Sequence, residues 1–125
     1  MVLATRILGF VNAPALMQKV LAQCIHDTID VSIYKRRRDL LMGILETAGL
    51  SYVPPEGTFY LFVKSPLEDD VAFCSALLKE KILAVPGKGF GHPGYVRFAY
   101  CIDEESIKGC APGLGRVMQT LGAGH

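Results

Sequence analysis

The chain has no excess of either charge: 13 basic side chains face 12 acidic ones in 125 residues. No global field therefore draws it to nucleic acid or to an anionic membrane. It has no apolar run long enough to cross a bilayer, and Met1-Val2-Leu3-Ala4-Thr5-Arg6 lacks the charged start, apolar stretch and cleavage pattern of a secretory signal. The expectation is a soluble cytoplasmic protein with no nucleic-acid and no membrane partner. C-x-x-C pairs are also missing. Cys24, Cys74, Cys101 and Cys110 are scattered, mostly in apolar patterns where a thiol acts as a small hydrophobe, and they read as reduced and mostly structural. Cys24-Ile25-His26 has no second pair to complete a tetrahedral site, so no metal is expected. There is no nucleophile elbow, no H-E-x-x-H, no internal repeat and no evident linker.

Half of the residues are hydrophobic, enough for the core of one compact domain over 1–125 but short for a complete cofactor-dependent enzyme. Asn12-Ala13-Pro14 places a cap and a proline ahead of Leu16, Val20 and Cys24 at helical spacing, which predicts a helix from near Pro14. A second helix is predicted from about Val31 to Ala48, with Asp30 or Ser32 as its cap and Gly49 as its stop. Tyr34, Leu41, Ile44, Leu45 and Ala48 form its apolar stripe, and Lys35 to Asp39 read as a solvated face.

Pro54-Pro55-Glu56-Gly57 is a turn, and Thr58 to Val63 predicts a well-buried strand. A helix opening between Pro66 and Asp70 runs to Glu80-Lys81, Ile82 to Val85 predicts a second strand closed by Pro86, and Tyr95 to Cys101 a third. Asp103 caps a last helix, with Glu104 and Glu105 in its first turn and Pro112-Gly113 expected to bend or interrupt it. The fold class is α/β: three short strands covered by helices, with a long or broken N-terminal helix.

Gly89-Phe90-Gly91-His92-Pro93-Gly94 has glycines at the offsets of the dinucleotide fingerprint, but a strand rather than a helix follows and Pro93 removes a donor. It reads as a close-turning connection, with phosphate binding as the alternative; His92 has no acid or nucleophile at a telling spacing. Arg97 follows, in Gly94-Tyr95-Val96-Arg97-Phe98-Ala99-Tyr100. A permanent cation in a half-buried strand is costly without a partner. Three readings remain open on the residues alone: an ion pair with an acid of the chain itself, a snorkelling side chain at a sheet edge, or the carboxylate of a ligand, whose two oxygens match the guanidinium fork.

Three segments in order, Gly9-Phe10-Val11-Asn12-Ala13-Pro14-Ala15-Leu16-Met17-Gln18, Pro55-Glu56-Gly57-Thr58-Phe59-Tyr60, and Val85-Pro86-Gly87-Lys88-Gly89-Phe90-Gly91 leading to Gly94-Tyr95-Val96-Arg97-Phe98-Ala99, resemble the C-terminal small domain of fold-type I, class I/II aminotransferases, closest to those called aspartate aminotransferase-like. The likeness extends over Leu8 to Leu121. It implies pyridoxal 5'-phosphate as cofactor of the intact enzyme, amino- and keto-acid substrates, and a homodimer of the full protein. It also implies that Arg97 holds the substrate α-carboxylate. It matches Phe59 to an aromatic on the substrate side in some members, a position that also serves as core, and puts Asn12 in a segment that approaches the cofactor phosphate, where the residue alone reads as a helix cap. The family's Schiff-base lysine belongs to a large upstream domain, and Lys19, Lys64, Lys88 and Lys108 lack its flanking sequence. The chain alone is thus expected to bind no cofactor and to be inactive. Carbon–sulfur β-elimination on the same scaffold, and a non-catalytic effector or small-acid-binding domain, are the alternatives.

Overall fold

A computed structural model describes residues 2–7, 9 and 13–122. The chain falls into two compact units, residues 1–30 and 31–125. The first holds helices α1 (Val2–Ile7) and α2 (Ala15–Cys24). Pro14 stands just before α2, as its fixed φ and missing N–H favour. None of the residues of α2 is buried, and Leu16, Met17 and Leu21 are exposed.

The second unit begins with α3 (Ser32–Thr47), whose cap position falls on Val31, between the two residues expected there. Gly49 stops the helix in the left-handed region at φ 73°, and the amides of Gly49 and Leu50 turn back onto the carbonyls of Glu46 and Leu45. Strand β1 (Tyr60–Lys64), helix α4 (Asp70–Lys79), strand β2 (Val85–Pro86), a 3-10 turn (Gly87–Phe90), strand β3 (Tyr95–Ala99) and helix α5 (Glu104–Gly122) complete the order. The three strands form an antiparallel sheet with β3 in the middle, β1 on one side and β2 on the other.

Period-two alternation splits the sheet into two faces. Leu61, Val63, Val96 and Phe98 are buried and join Leu41 and Leu45 of α3, Phe73 and Leu77 of α4, and Ile107, Leu114 and Val117 of α5 in one core. Tyr60, Phe62, Lys64, Tyr95 and Arg97 occupy the other face, exposed or half-buried. The α/β class with three short strands and helices holds.

Several local expectations are corrected. The strand expected over Thr58 to Val63 starts later and is buried on alternate residues only, because Thr58 adopts a left-handed φ of 74° that no strand accommodates. The strand expected over Ile82 to Val85 shrinks to Val85–Pro86: the Ile82 amide closes the end of α4 on the Leu77 carbonyl, and Lys81 turns at φ 61°. The third strand ends at Ala99 rather than Cys101. Helix α5 continues through Pro112, since Ile107 on one side of it and Leu114 and Val117 on the other are all anchored in the core. Gly113 lets it pack closely: a Cβ there would stand 3.1 Å from Glu80 Cβ and 3.2 Å from Ile82 Cδ1.

Arg37 and Arg38 are half-buried rather than part of a solvated face. Arg38 donates to the Pro55 carbonyl at 3.1 Å and to Asp39 Oδ1, which fixes the Pro-rich turn to α3. The guanidinium of Arg37 lies 5.9 Å from the Tyr34 ring, and its buried Nε has no hydrogen-bond partner. All four cysteines are free thiols; Cys24 and Cys101 are exposed rather than packed as small hydrophobes, and Cys74 and Cys110 are half-buried. Burial raises the pKa of both half-buried thiols, and the Asp70 charge adds to the rise at Cys74. Among the described residues no helix is long and apolar enough to cross a membrane.

Candidate functional site

The central strand β3 carries Arg97 outward. Register places it directly opposite Phe62 on β1 and opposite Val85 on β2. The diagonal neighbour on β1 is Tyr60, which pairs with Ala99. Its ring centroid lies 4.2 Å from the Arg97 guanidinium carbon, and that of Phe90 in the 3-10 turn lies at 4.3 Å. Both distances are well inside the range of a cation–π contact.

Among the described residues the Arg97 side chain forms no hydrogen bond and no ion pair; the salt bridges present are Arg36–Glu104, Arg38–Asp39 and Arg116–Glu80. No acid among the described residues is therefore its partner. Aromatic contacts engage a guanidinium without using its donors, which project along its edge. The arrangement holds a cation in place while leaving its N–H groups available to a planar anion.

A wider aromatic surround supports this centre. Phe62 meets Phe90 edge-on at 6.0 Å between centroids, His92 stacks on Tyr95 at 4.4 Å, and Phe62 and His92 are 6.4 Å apart. His92, which the sequence left without a partner, belongs to this layer. The turn that carries Phe90 is tight because Gly87 is buried under its neighbours: a Cβ on Gly87 would meet the His92 carbonyl oxygen at 2.3 Å and that of Tyr95 at 2.7 Å. Only glycine fits there.

The same turn bears on the phosphate alternative. Three of its amides are engaged within the chain: Lys88 N–H donates to Asp70 Oδ2 at 2.9 Å, Gly91 N–H to the Lys88 carbonyl, and His92 N–H to the Gly87 carbonyl. A buried carboxylate at the mouth of the turn repels a phosphate. The Gly-rich loop is a close-turning connection.

Of the other residues singled out in the sequence, Phe59 is 45% exposed and its ring packs on Tyr34 of α3 at 5.2 Å. The structure thus brings Tyr60 and Phe90, not Phe59, to Arg97. Phe59 is held by the backbone around it: the Tyr100 amide donates to its carbonyl at 3.0 Å, and the Tyr100 hydroxyl donates to the Thr58 carbonyl at 2.7 Å. Burial pushes the Tyr100 phenol up, with the nearby Arg38 charge opposing. Asn12 lies outside the described residues. Tyr60 and Phe90 escaped sequence reasoning, although Tyr60-x-Phe62-x-Lys64 alternates with Leu61 and Val63 and so marks a shared face.

The model of the family described as aminotransferase class I and II matches residues 3–111. Aspartate aminotransferase of Thermotoga maritima is 42% identical over 62% of this chain and 20% of its own length. Aspartate/prephenate aminotransferase of Thermus thermophilus is 38% identical over 68% of this chain and 23% of its own, and LL-diaminopimelate aminotransferase of Syntrophobacter fumaroxidans is 41% identical over 61% and 21%. The chain therefore spans about a fifth to a quarter of the length of these relatives. Among solved structures, an amino transferase from Eubacterium rectale superposes with a TM-score of 0.89 at 42% identity over 94% of this chain and 29% of its own. Aspartate aminotransferase of Thermus thermophilus with maleate gives 0.67 at 35% identity, over 69% and 23%. By this match over most of its length, the chain belongs to the class I and II aminotransferases.

Proposed function

We propose that the chain is the C-terminal small domain of an aspartate aminotransferase-like, pyridoxal-phosphate-dependent transaminase, and that Arg97 holds the α-carboxylate of its amino- and keto-acid substrates. The observation that carries this reading is the Arg97 guanidinium, flanked by Tyr60 and Phe90 with its donors unpaired among the described residues. A carboxylate can take two parallel charge-assisted hydrogen bonds from that edge, which fixes both its distance and its plane. Fixing the carboxylate orients the Cα–H bond of the substrate, a positioning contribution that can reach several kcal/mol.

The described residues fit a carboxylate and do not by themselves fit pyridoxal phosphate. Phosphate cradles use convergent free amides, and in the 87–92 turn those of Lys88, Gly91 and His92 are occupied by Asp70 and by the turn's own carbonyls. The cofactor, which supplies the electron sink for transamination, is accordingly assigned to an upstream large domain and its lysine. The role of this chain is to bind, orient and partly desolvate the substrate carboxylate against the aromatic layer. Alone it is inactive, and the working enzyme is assigned as a homodimer of the full protein.

The test is Arg97→Lys in the complete enzyme. Lysine keeps the charge and loses the fork. The expected result is a fall in kcat/KM for amino and keto acids of roughly 30- to 100-fold, from the loss of a charged bidentate contact, with cofactor content unchanged. Unaltered substrate kinetics refute the assignment.

A further inference from the structure

The clamp depends on a turn, and one buried carboxylate holds that turn. Asp70, the first residue of α4, is 3% exposed. The helix already has a cap without it: Asp69 accepts from the Val71 amide at 2.9 Å. The hydrogen bond of Asp70 runs elsewhere, from the Lys88 amide eighteen positions along the chain to its Oδ2 at 2.9 Å. Lys88 is the second residue of the 3-10 turn and Phe90 its last.

We infer that Asp70 is a positioning residue of the carboxylate clamp: its hydrogen bond to Lys88 sets the 3-10 turn that places Phe90 against Arg97. The inference rests on the reading of Arg97 as the clamp. Three features of the turn favour it. A charge-assisted bond to a backbone amide is short and directional, so it fixes the turn more closely than apolar packing would. Asp70 supplies the bond that ties the turn to α4, whereas the Gly91 and His92 amides bond within the 87–92 segment and, of Gly87 to Phe90, only Gly87 is buried. Finally, Phe90 is 49% exposed, so its ring is not locked in the core and its place beside Arg97 follows the backbone that carries it. Of the two rings on Arg97, Tyr60 is held by β1 and its five-residue pairing with β3; Phe90 is carried by the turn and, besides Arg97, meets Phe62 edge-on.

Asp70 touches neither Arg97 nor a bound carboxylate. Without its bond, Phe90 leaves the guanidinium, Arg97 samples more rotamers, and each bound carboxylate must restore the lost order. The neighbouring Asp69 gives an internal comparison, because its side chain serves α4 and not the turn.

The experiment uses the full 125-residue chain and nuclear magnetic resonance. The Arg97 Hε resonance reports the ring currents of Tyr60 and Phe90, and titration with succinate reports carboxylate binding. Asp70→Ser keeps a helix-favouring oxygen but is too short to reach Lys88; Asp70→Asn keeps an acceptor at full reach. Asp70→Ser is expected to move Arg97 Hε toward its free-arginine position and to weaken succinate roughly three- to tenfold, the scale of one hydrogen bond. Asp70→Asn is expected to preserve the resonance and to bind within about twofold of wild type, since an amide oxygen of the same reach still accepts from Lys88. Asp69→Ala is expected to lower the melting temperature through loss of a cap while leaving both readouts in place. An unmoved Arg97 resonance in folded Asp70→Ser, or an equal displacement in Asp70→Asn or Asp69→Ala, overturns the inference. Arg97→Lys separates the two claims: wild-type succinate affinity there removes the clamp, whereas lost affinity there with an unmoved resonance in Asp70→Ser removes only the role of Asp70.

Discussion

Gly87→Ala is the sharpest structural perturbation available near Arg97. A methyl group at Gly87 stands 2.3 Å from the His92 carbonyl oxygen and 2.7 Å from that of Tyr95. Ordinary contact begins near 3.4 Å, so one of the two backbones must retreat by about 1 Å. Tyr95 cannot do so readily, because it starts β3 and pairs with Lys64 of β1. The strain falls on residues 87–92, where the His92 amide donates to the Gly87 carbonyl at 3.0 Å. Overpacking of this kind costs ~1–3 kcal/mol when side chains can yield, and rigid backbone on both sides puts the cost at the top of that range. With about 3 kcal/mol lost, the melting temperature drops by roughly 10 to 20 °C. Urea unfolding should show a lower midpoint with the slope unchanged. Gly89→Ala provides the control, since nothing lies within 4 Å of its Cβ; it should stay within about 0.5 kcal/mol of wild type. Gly91→Ala falls between, at about 1 kcal/mol, because Gly91 has open space but a left-handed φ of 72°. Equal stability of Gly87→Ala and Gly89→Ala would refute the reasoning.

Two further outcomes follow from hydrogen bonds outside the sheet face. Tyr100→Phe removes the donor to the Thr58 carbonyl and should cost about 1–2 kcal/mol in equilibrium unfolding, as expected for a buried bond whose acceptor is left unpaired; an unchanged midpoint would show that Thr58 and Phe59 need no tether. The Tyr52 phenol is pushed up to about 12 from 10.0 by burial and by its hydrogen bond to Glu46. A folded-state pKa raised above the unfolded value gives stability that is full below pH 10 and is lost as pH rises toward 12. Ultraviolet titration of wild type against Tyr52→Phe should therefore lack a phenolate transition near pH 10 for this residue; a normal transition there contradicts the environment described.

Much of the fold was legible because its signals are local. Gly49 after a run of apolar residues at helical spacing ends α3 by its left-handed φ, and Asp103 starts α5 by accepting from the Ser106 amide at 2.8 Å. Both depend on residues within a few positions. Pro112 misled for the opposite reason: its local cost is real, but Ile107, Leu114 and Val117 bury themselves on both sides of it, and core packing outweighs propensity. Ile82 to Ala84 carry the composition of a strand, yet the Ile82 amide is taken by the end of α4. The site divides in the same way. Arg97 stood out as a charge in an apolar run, a local anomaly. Its neighbours did not, because the meeting of Tyr60 and Phe90 depends on strand register and on a turn tied down from α4. Phe59 and Tyr60 are adjacent in sequence and alike in type, and only the placement of β1 decides that Tyr60 meets Arg97 while Phe59 meets Tyr34.

Whether the Arg97 edge receives a carboxylate is decided by a crystal structure of the chain with succinate. One succinate carboxylate is expected in a two-bonded, coplanar contact with the Arg97 guanidinium, beside the Tyr60 and Phe90 rings. Succinate bound elsewhere with the Arg97 edge empty, or Arg97 turned onto an acid of the chain itself, would contradict it.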